Sequence, residues 1–202
     1  MITHIYVAKL KAGTSDDQVA TWLQAIDALK IEGMLEIRSG PDLGLREGNW
    51  DVAITADFSD AAAWQRYNDD ALHNQIRNEH AKPIVEQQQR VQFQRSRHFD
   101  YPGDICNVTL VTLKPDAPAG QSEKAAERLR GLRCQGMHHI DAGPDLGYQK
   151  GNATAGVICD FDSPEAYAVY DLDGLHNEIR EQDIKPYVAA LQRVQFELQD
   201  AP

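Results

Sequence analysis

The chain carries the same text twice. Tyr67, Asp70, Leu72-His73-Asn74, Ile76-Arg77, Lys82-Pro83, Val85 and Gln89-Arg90-Val91-Gln92-Phe93 come first. They return as Tyr170, Asp173, Leu175-His176-Asn177, Ile179-Arg180, Lys185-Pro186, Val188 and Gln192-Arg193-Val194-Gln195-Phe196, in the same order and spacing. Gly33-Met34, Gly40-Pro41-Asp42-Leu43-Gly44, Gly48-Asn49 and Asp57-Phe58 likewise return as Gly136-Met137, Gly143-Pro144-Asp145-Leu146-Gly147, Gly151-Asn152 and Asp160-Phe161. The halves align without a gap, with roughly a third of positions identical. A period this long is too large for a solenoid unit, so each half is a domain-sized module. The division is 1–96 and 105–202, with 97–104 as a connector whose Pro102-Gly103 suits an exposed linker.

Within one half the hydrophobic pattern changes period several times. Thr3 to Lys11 alternates, with Ile5 and Val7 on one side and His4, Tyr6, Ala8 and Leu10 on the other. Both sides are largely apolar, so the strand is expected to be covered on both faces. Thr14 to Asp17 offers N-caps, and Val19, Trp22, Leu23, Ile26 and Leu29 then follow at helical spacing. The copy keeps this helix with smaller residues: Ala125, Ala126, Leu129 and Leu132. Gly33 is expected to end the helix. Met34 to Ser39 reads as a second strand, Gly40 to Asn49 as a polar loop, and Val52 to Phe58 as a third strand. Ser59-Asp60 caps a second helix bearing Ala63, Trp64 and Tyr67. A helical piece from Ala71 to Asn78 precedes Pro83, and Arg90 to Gln94 closes the unit as a fourth strand.

Strand, helix, strand, strand, helix, strand is the ferredoxin-like order: an antiparallel sheet with its helices on one face. The other sheet face needs a cover, and the second half supplies it. The predicted class is α+β, two tandem ferredoxin-like domains packed sheet to sheet as a pseudo-dimeric α/β barrel.

Charge and cysteine usage narrow the function classes. A formal charge of −11 argues against nucleic acid and anionic membrane surfaces, which require a basic face. Cys106, Cys134 and Cys159 form no Cys-x-x-Cys pair and are odd in number, so a disulfide framework is not expected. No signal-like N-terminus or membrane-length apolar run is visible, and the expected location is the cytoplasm.

The His4-Ile5 strand, the Gly33-Met34 corner, Gly40, Asp57-Phe58, Tyr67, His73, Lys82-Pro83 and the closing apolar strand together resemble a stress-responsive α/β-barrel (Dabb) domain. The resemblance covers nearly the whole chain, twice. Most members are single domains that dimerise, so this chain resembles a fused dimer. Some plant members are cofactor-independent enzymes, a polyketide cyclase and a hydroxynitrile lyase. Others are stress-induced proteins without established chemistry. In the cyclase-like members a tyrosine and a histidine at this separation act as the acid–base pair, which implicates Tyr67 and His73, with copies Tyr170 and His176. His4 matches a pocket-facing histidine of the enzymatic members, whereas its copy is Asn107. If His4 takes part, only the first half is a complete site.

The residues alone support that chemistry and a plainer alternative. With Asp70 as N-cap, His73 falls in the first turn of a helix, whose dipole disfavours imidazolium and leaves a neutral base. A tyrosine hydroxyl beside it could hold a substrate oxygen. The alternative is a packed tyrosine and a histidine bonded to the backbone. Asp57 with Arg90, and Asp160 with Arg193, are expected as buried structural ion pairs. Adjacent His138 and His139 point to opposite strand faces and are not expected to share a metal. Some members hold magnesium by backbone carbonyls at the corner after the first helix, here 28–34 and 131–137; carbonyls leave no side-chain signature. No cofactor and no side-chain metal site are expected. Gly40 to Gly44 reads as a turn, since it lacks the Lys and Ser/Thr of a phosphate loop. Trp22, Trp50 and Trp64 face Ala125, Ala153 and Tyr167 in the copy, so any pockets should differ in size. The candidate partner is a small hydrophobic molecule. The two halves pair with each other, and further self-association is left open. The functional readings are a Dabb protein with no assignable reaction, a lyase or cyclase, and a cofactorless monooxygenase, for which no motif is present.

Overall fold

In the computed structural model, which describes residues 1–95 and 103–198, each half forms a four-stranded antiparallel sheet. The first half runs β1 (Ile2–Leu10), α1 (Asp16–Asp27), β2 (Met34–Pro41), β3 (Val52–Phe58), α2 (Ala61–Asp69), α3 (Ala71–Ile76), the single turn α4 (Lys82–Ile84) and β4 (Val85–Gln94). The second runs β5 (Ile105–Leu113), α5 (Gln121–Arg130), β6 (Met137–Pro144), β7 (Ala155–Phe161), α6 (Pro164–Leu172), α7 (Gly174–Ile179) and β8 (Val188–Glu197). Strand order is β2-β3-β1-β4 in one sheet and β6-β7-β5-β8 in the other. The expected connector, 97–104, lies outside the described residues apart from its last two.

Alternation assigns each sheet face. Ile5, Val7, Ala53, Val91 and Phe93 meet Val108, Leu110, Ile158, Val194 and Phe196 between the sheets. The opposite face of the first sheet packs Ile54, Ala56 and Phe58 against Trp22, Ile26, Trp64 and Tyr67 of the helices. The barrel is thus closed within one chain. Side chains of both sheets pack its interior, and the two spaces described below each lie between a sheet and its helices.

The most strongly repeated stretches turn out to bind each other. The Leu146 and Ala153 amides donate to the Gln92 and Arg90 carbonyls (2.7 and 2.9 Å), so the loop between β6 and β7 covers the free edge of β4. In return the Leu43 and Trp50 amides donate to the Gln195 and Arg193 carbonyls on β8 (2.8 and 2.9 Å). Asp42 anchors the second clasp. One carboxylate oxygen accepts the Gln195 amide at 2.9 Å and the Asn49 side chain at 2.8 Å, while the other accepts the Gly44 amide at 2.9 Å. The Gly-Pro-Asp-Leu-Gly turn is therefore an interdomain clasp. Asp42→Ala would strand a β8 amide, and the expected cost is about 1.5–3 kcal/mol by urea denaturation.

Several local expectations need correction. Helix α1 ends at Asp27, with Ala28 as its C-cap. Gly33 instead sits in the turn before β2 at φ +83°, where a Cβ would lie 2.6 Å from the Ala63 Cβ. The fourth strand begins at Val85, and residues Arg77–Ala81 form a π-turn after a helix that stops at Ile76. Asp57 does not pair with Arg90, because β1 lies between their strands. Asp57 accepts from Thr3 at 2.6 Å and from Arg95 at 2.8 Å, and Asp160 pairs with Arg38 at 2.6 Å. Arg90 and Arg193 instead donate to Asn152 and Asn49 of the opposite half, at 3.2 and 2.8 Å. Among the described residues no helix is long and apolar enough to cross a membrane.

Candidate functional site

A break in the helices builds the site. Asp70 separates α2 from α3 with extended backbone (φ −58°, ψ 133°), and its carboxylate accepts the His73 amide at 2.7 Å. The Asn74 side chain spans the break, donating to the Asn68 and Asp70 carbonyls at 3.1 and 2.8 Å. Asp173, His176 and Asn177 repeat this construction. The spacing of Asp, His and Asn is thus a helix-restart motif that fixes the histidine ring.

His73 stacks on Tyr67, with ring centroids 4.0 Å apart and planes 28° from parallel. Burial first, and the charge of Arg77 second, lower the His73 pKa to about 4; hydrogen bonding to the Tyr67 backbone and the charge of Asp70 act in the opposite sense. The ring is neutral at pH 7 as expected, though the six-residue helix is not the main reason. Its Nδ1 is buried without a hydrogen bond of normal geometry, and the residue lines the chamber. Burial raises the Tyr67 pKa, so its hydroxyl stays a proton donor, with no hydrogen bond among the described residues.

His4 joins the same face, 6.0 Å from Tyr67 between ring centroids. Its tautomer follows from the clasp. Asn152 donates its amide nitrogen to the carboxylate of Asp145 and accepts from Arg90 through its oxygen, which fixes its orientation. The same nitrogen donates to Gln92 Oε1 at 2.8 Å, so Gln92 turns its own nitrogen to His4 Nδ1 at 2.7 Å. Nδ1 is therefore the acceptor and Nε2 carries the proton. Burial, then His73 and Arg90, push the His4 pKa down to about 3. In the copy, Asn107 accepts from Gln195 at 2.6 Å, the same bond without a titratable ring.

These residues line a chamber of about 410 Å³ between the first sheet and its helices. Trp22, Ile26, Ile54 and Trp64 form its apolar wall, and Tyr6, Arg77 and Arg90 its polar side. Gln149 of the second half also lines it and donates to Asn68 at 2.7 Å, and the neighbouring Tyr148 packs on Trp64 at 4.8 Å. The corresponding space in the second half is about 80 Å³. Tyr170 and His176 stack there in the same way, at 4.1 Å. Arg46, which corresponds to Gln149, plugs that space by an ion pair with Asp171. Ile184 and Leu191 fill it further where the first half has Ala81 and Gln88. The tryptophans thus build a wall without filling the chamber.

Sequence reasoning named Tyr67, His73 and His4 as candidates, and all three line one chamber. It missed Arg77 and Arg90 as lining residues, although both lie inside the repeated stretch. It also missed Gln149, which the copy replaces by Arg46 and which no motif marks.

At the corner after the first helix of each half, arginines take carbonyls at or beside the positions that the resemblance implicates. Arg66 donates to the Glu32 carbonyl at 3.0 Å, and Arg133 to the Arg130 and Leu132 carbonyls. Among the described residues no group of three or more His, Cys, Asp or Glu could hold a metal. His138 and His139 part as expected, toward Asp162 and Asp160.

Two ferredoxin-like sheets meeting face to face, each with helices outside, define an α/β barrel of the dimeric kind, here closed by one polypeptide. The chain belongs to the stress-responsive A/B barrel domain (Dabb) family, whose model matches residues 2–96 and again 105–199. Among solved structures, an anthrone oxidase-like protein aligns with TM-score 0.67 and 13% identity, over 98% of this chain and 91% of that one. A protein from Lactobacillus acidophilus NCFM, provisionally assigned as a monooxygenase, aligns with TM-score 0.57 and 16% identity, over 98% and 92%. A dimeric ferredoxin-like protein of unknown function from Thermobifida fusca is 26% identical over 46% of this chain and 90% of that one, with TM-score 0.43. At such identities the two full-length similarities speak for the fold alone. A comparison with curated proteins finds no match.

Proposed function

We propose that the chain is a cofactor-independent enzyme of the lyase or cyclase type, with one working chamber, in the first half. The observation that carries this reading is the 410 Å³ space onto which Tyr67 and His73 open, set against 80 Å³ around the same pair in the copy. Neutral His73 can take a proton from carbon beside a substrate carbonyl. The Tyr67 hydroxyl donates a hydrogen bond to the oxyanion that forms, and the proton on His73 is available for return. The preserved Tyr170–His176 stack favours a packing role for the ring pair in the second half, where no comparable chamber accompanies it.

A simple carbon acid tests this. Deuterium exchange at the α-carbon of α-tetralone in D2O, followed by proton NMR, is expected to be accelerated by the protein. His73→Ala should lose about 10²–10⁴-fold of that acceleration with little change in thermal stability. His176→Ala should leave it unchanged. Equal exchange with His73→Ala and the unaltered protein contradicts the assignment.

A further inference from the structure

The charge around the chamber is opposite in sign to that of the whole molecule. The chain carries −11, yet Arg77, Lys82 and Arg90 line the space with Glu86 as the one carboxylate beside them. Arg77 makes no ion pair among the described residues, and the partners of Arg90 are neutral: the Asn152 side chain at 3.2 Å and the Lys150 carbonyl at 3.4 Å. In the second half Arg46 and Arg180 both pair with Asp171, and Arg193 also lines the space; the excess of positive charge there is the same, but two of its arginines are held by a carboxylate. Arg77 lines the same space as Tyr6, Tyr67 and His73. The apolar lining is Trp22, Ile26, Ile54 and Trp64. Two guanidinium groups with no carboxylate bonded to them, lining a cavity that tryptophans also line, suit a ligand with an apolar part and an anionic part.

We infer that the first-half chamber takes a small aromatic molecule bearing a carboxylate or other anionic oxygen group, with the anion toward Arg77 and Arg90 and the ring between Trp22 and Trp64. This rests on the chamber being the working site. It adds that the ligand is charged, and that Arg77 discriminates for the charge. Trp22 and Trp64 line the space, so binding is readable by their fluorescence.

The test compares 2-naphthoate with its neutral counterpart 2-naphthylmethanol, titrated into the full chain at low and high salt. The expected result is at least tenfold tighter binding of 2-naphthoate at low salt. Arg77→Gln should reduce that preference severalfold, and added salt should do the same. Arg180→Gln, on the corresponding position of the second half, should leave it unchanged. Equal or tighter binding of the neutral compound overturns the anionic assignment while leaving the chamber as the site. Preference unaltered by Arg77→Gln overturns the role of Arg77. If neither compound binds, this inference falls. Failure of α-tetralone exchange as well would bring down the chamber reading on which it rests.

Discussion

Phe93→Ala and Phe196→Ala are each expected to cost about 3–5 kcal/mol and to lower the melting temperature by roughly 10–15 °C. Both rings are fully buried, and neither belongs to the core beneath its own helices. Phe93 lies against Gly143 and Phe196 against Gly40, so close that a Cβ on either glycine would fall within 2.9 Å of the ring. Each phenylalanine is thus a knob from one half set against a backbone glycine of the other. The symmetry explains why the Gly-Pro-Asp turn and the Gln-Arg-Val-Gln-Phe strand are both repeated. Gly143→Ala should cost about 1–3 kcal/mol by overpacking. Leu172→Ala, on a side chain that is 79% exposed, serves as the control and should stay within about 0.5 kcal/mol. Thermal and urea unfolding of the four variants gives the answer. Near-neutral values at both phenylalanines would mean that the sheet faces are not packed together.

Acid should destabilise the protein well before its carboxylates are protonated, and His4 should be a principal cause. Its pKa is about 3 in the folded chain and near 6.5 when unfolded. The unfolded state therefore binds the extra proton throughout that window. Stability is complete above about pH 6.5 and falls as the pH drops toward 3. The His4 share of the loss by pH 4 is about 3 kcal/mol. His73 and His139, both lowered to about 4, add to it in the same direction. His4→Asn installs the residue of the copy, where Asn107 accepts the Gln195 amide. At pH 7 the variant should lie within about 1 kcal/mol of the parent. By pH 4 it should be the more stable of the two. Urea denaturation of both proteins across this range measures the crossing, and parallel curves would contradict the burial of a neutral His4.

The fold was legible because its signals are local and repeated. Alternation on β1 with apolar residues on both sides required a cover on each face, and the duplication named the cover. Tyr67 and His73 were legible because they keep their spacing in both halves. The rest depended on contacts that no period encodes. Asp57 and Arg90 recur together in sequence, but β1 separates their strands, and each finds another partner. Gly33 reads as a helix cap, yet it sits in the turn before β2, where Ala63 leaves no room for a side chain. The asymmetry of the chambers was visible in the tryptophans. Its cause was not, because Arg46 and Gln149 act on the half of the chain to which they do not belong.

The account depends on the two halves completing each other, since the second half supplies both the packing face of the first sheet and part of the lining of its chamber. Native-state hydrogen exchange at Leu43, Trp50, Leu146 and Ala153 tests this most directly, because each of these amides donates to a carbonyl of the opposite half. Protection at all four comparable to that of the amides pairing β1 with β3 is the expected result. Exchange at the rate of open loops, with the strands within each sheet still protected, would contradict it.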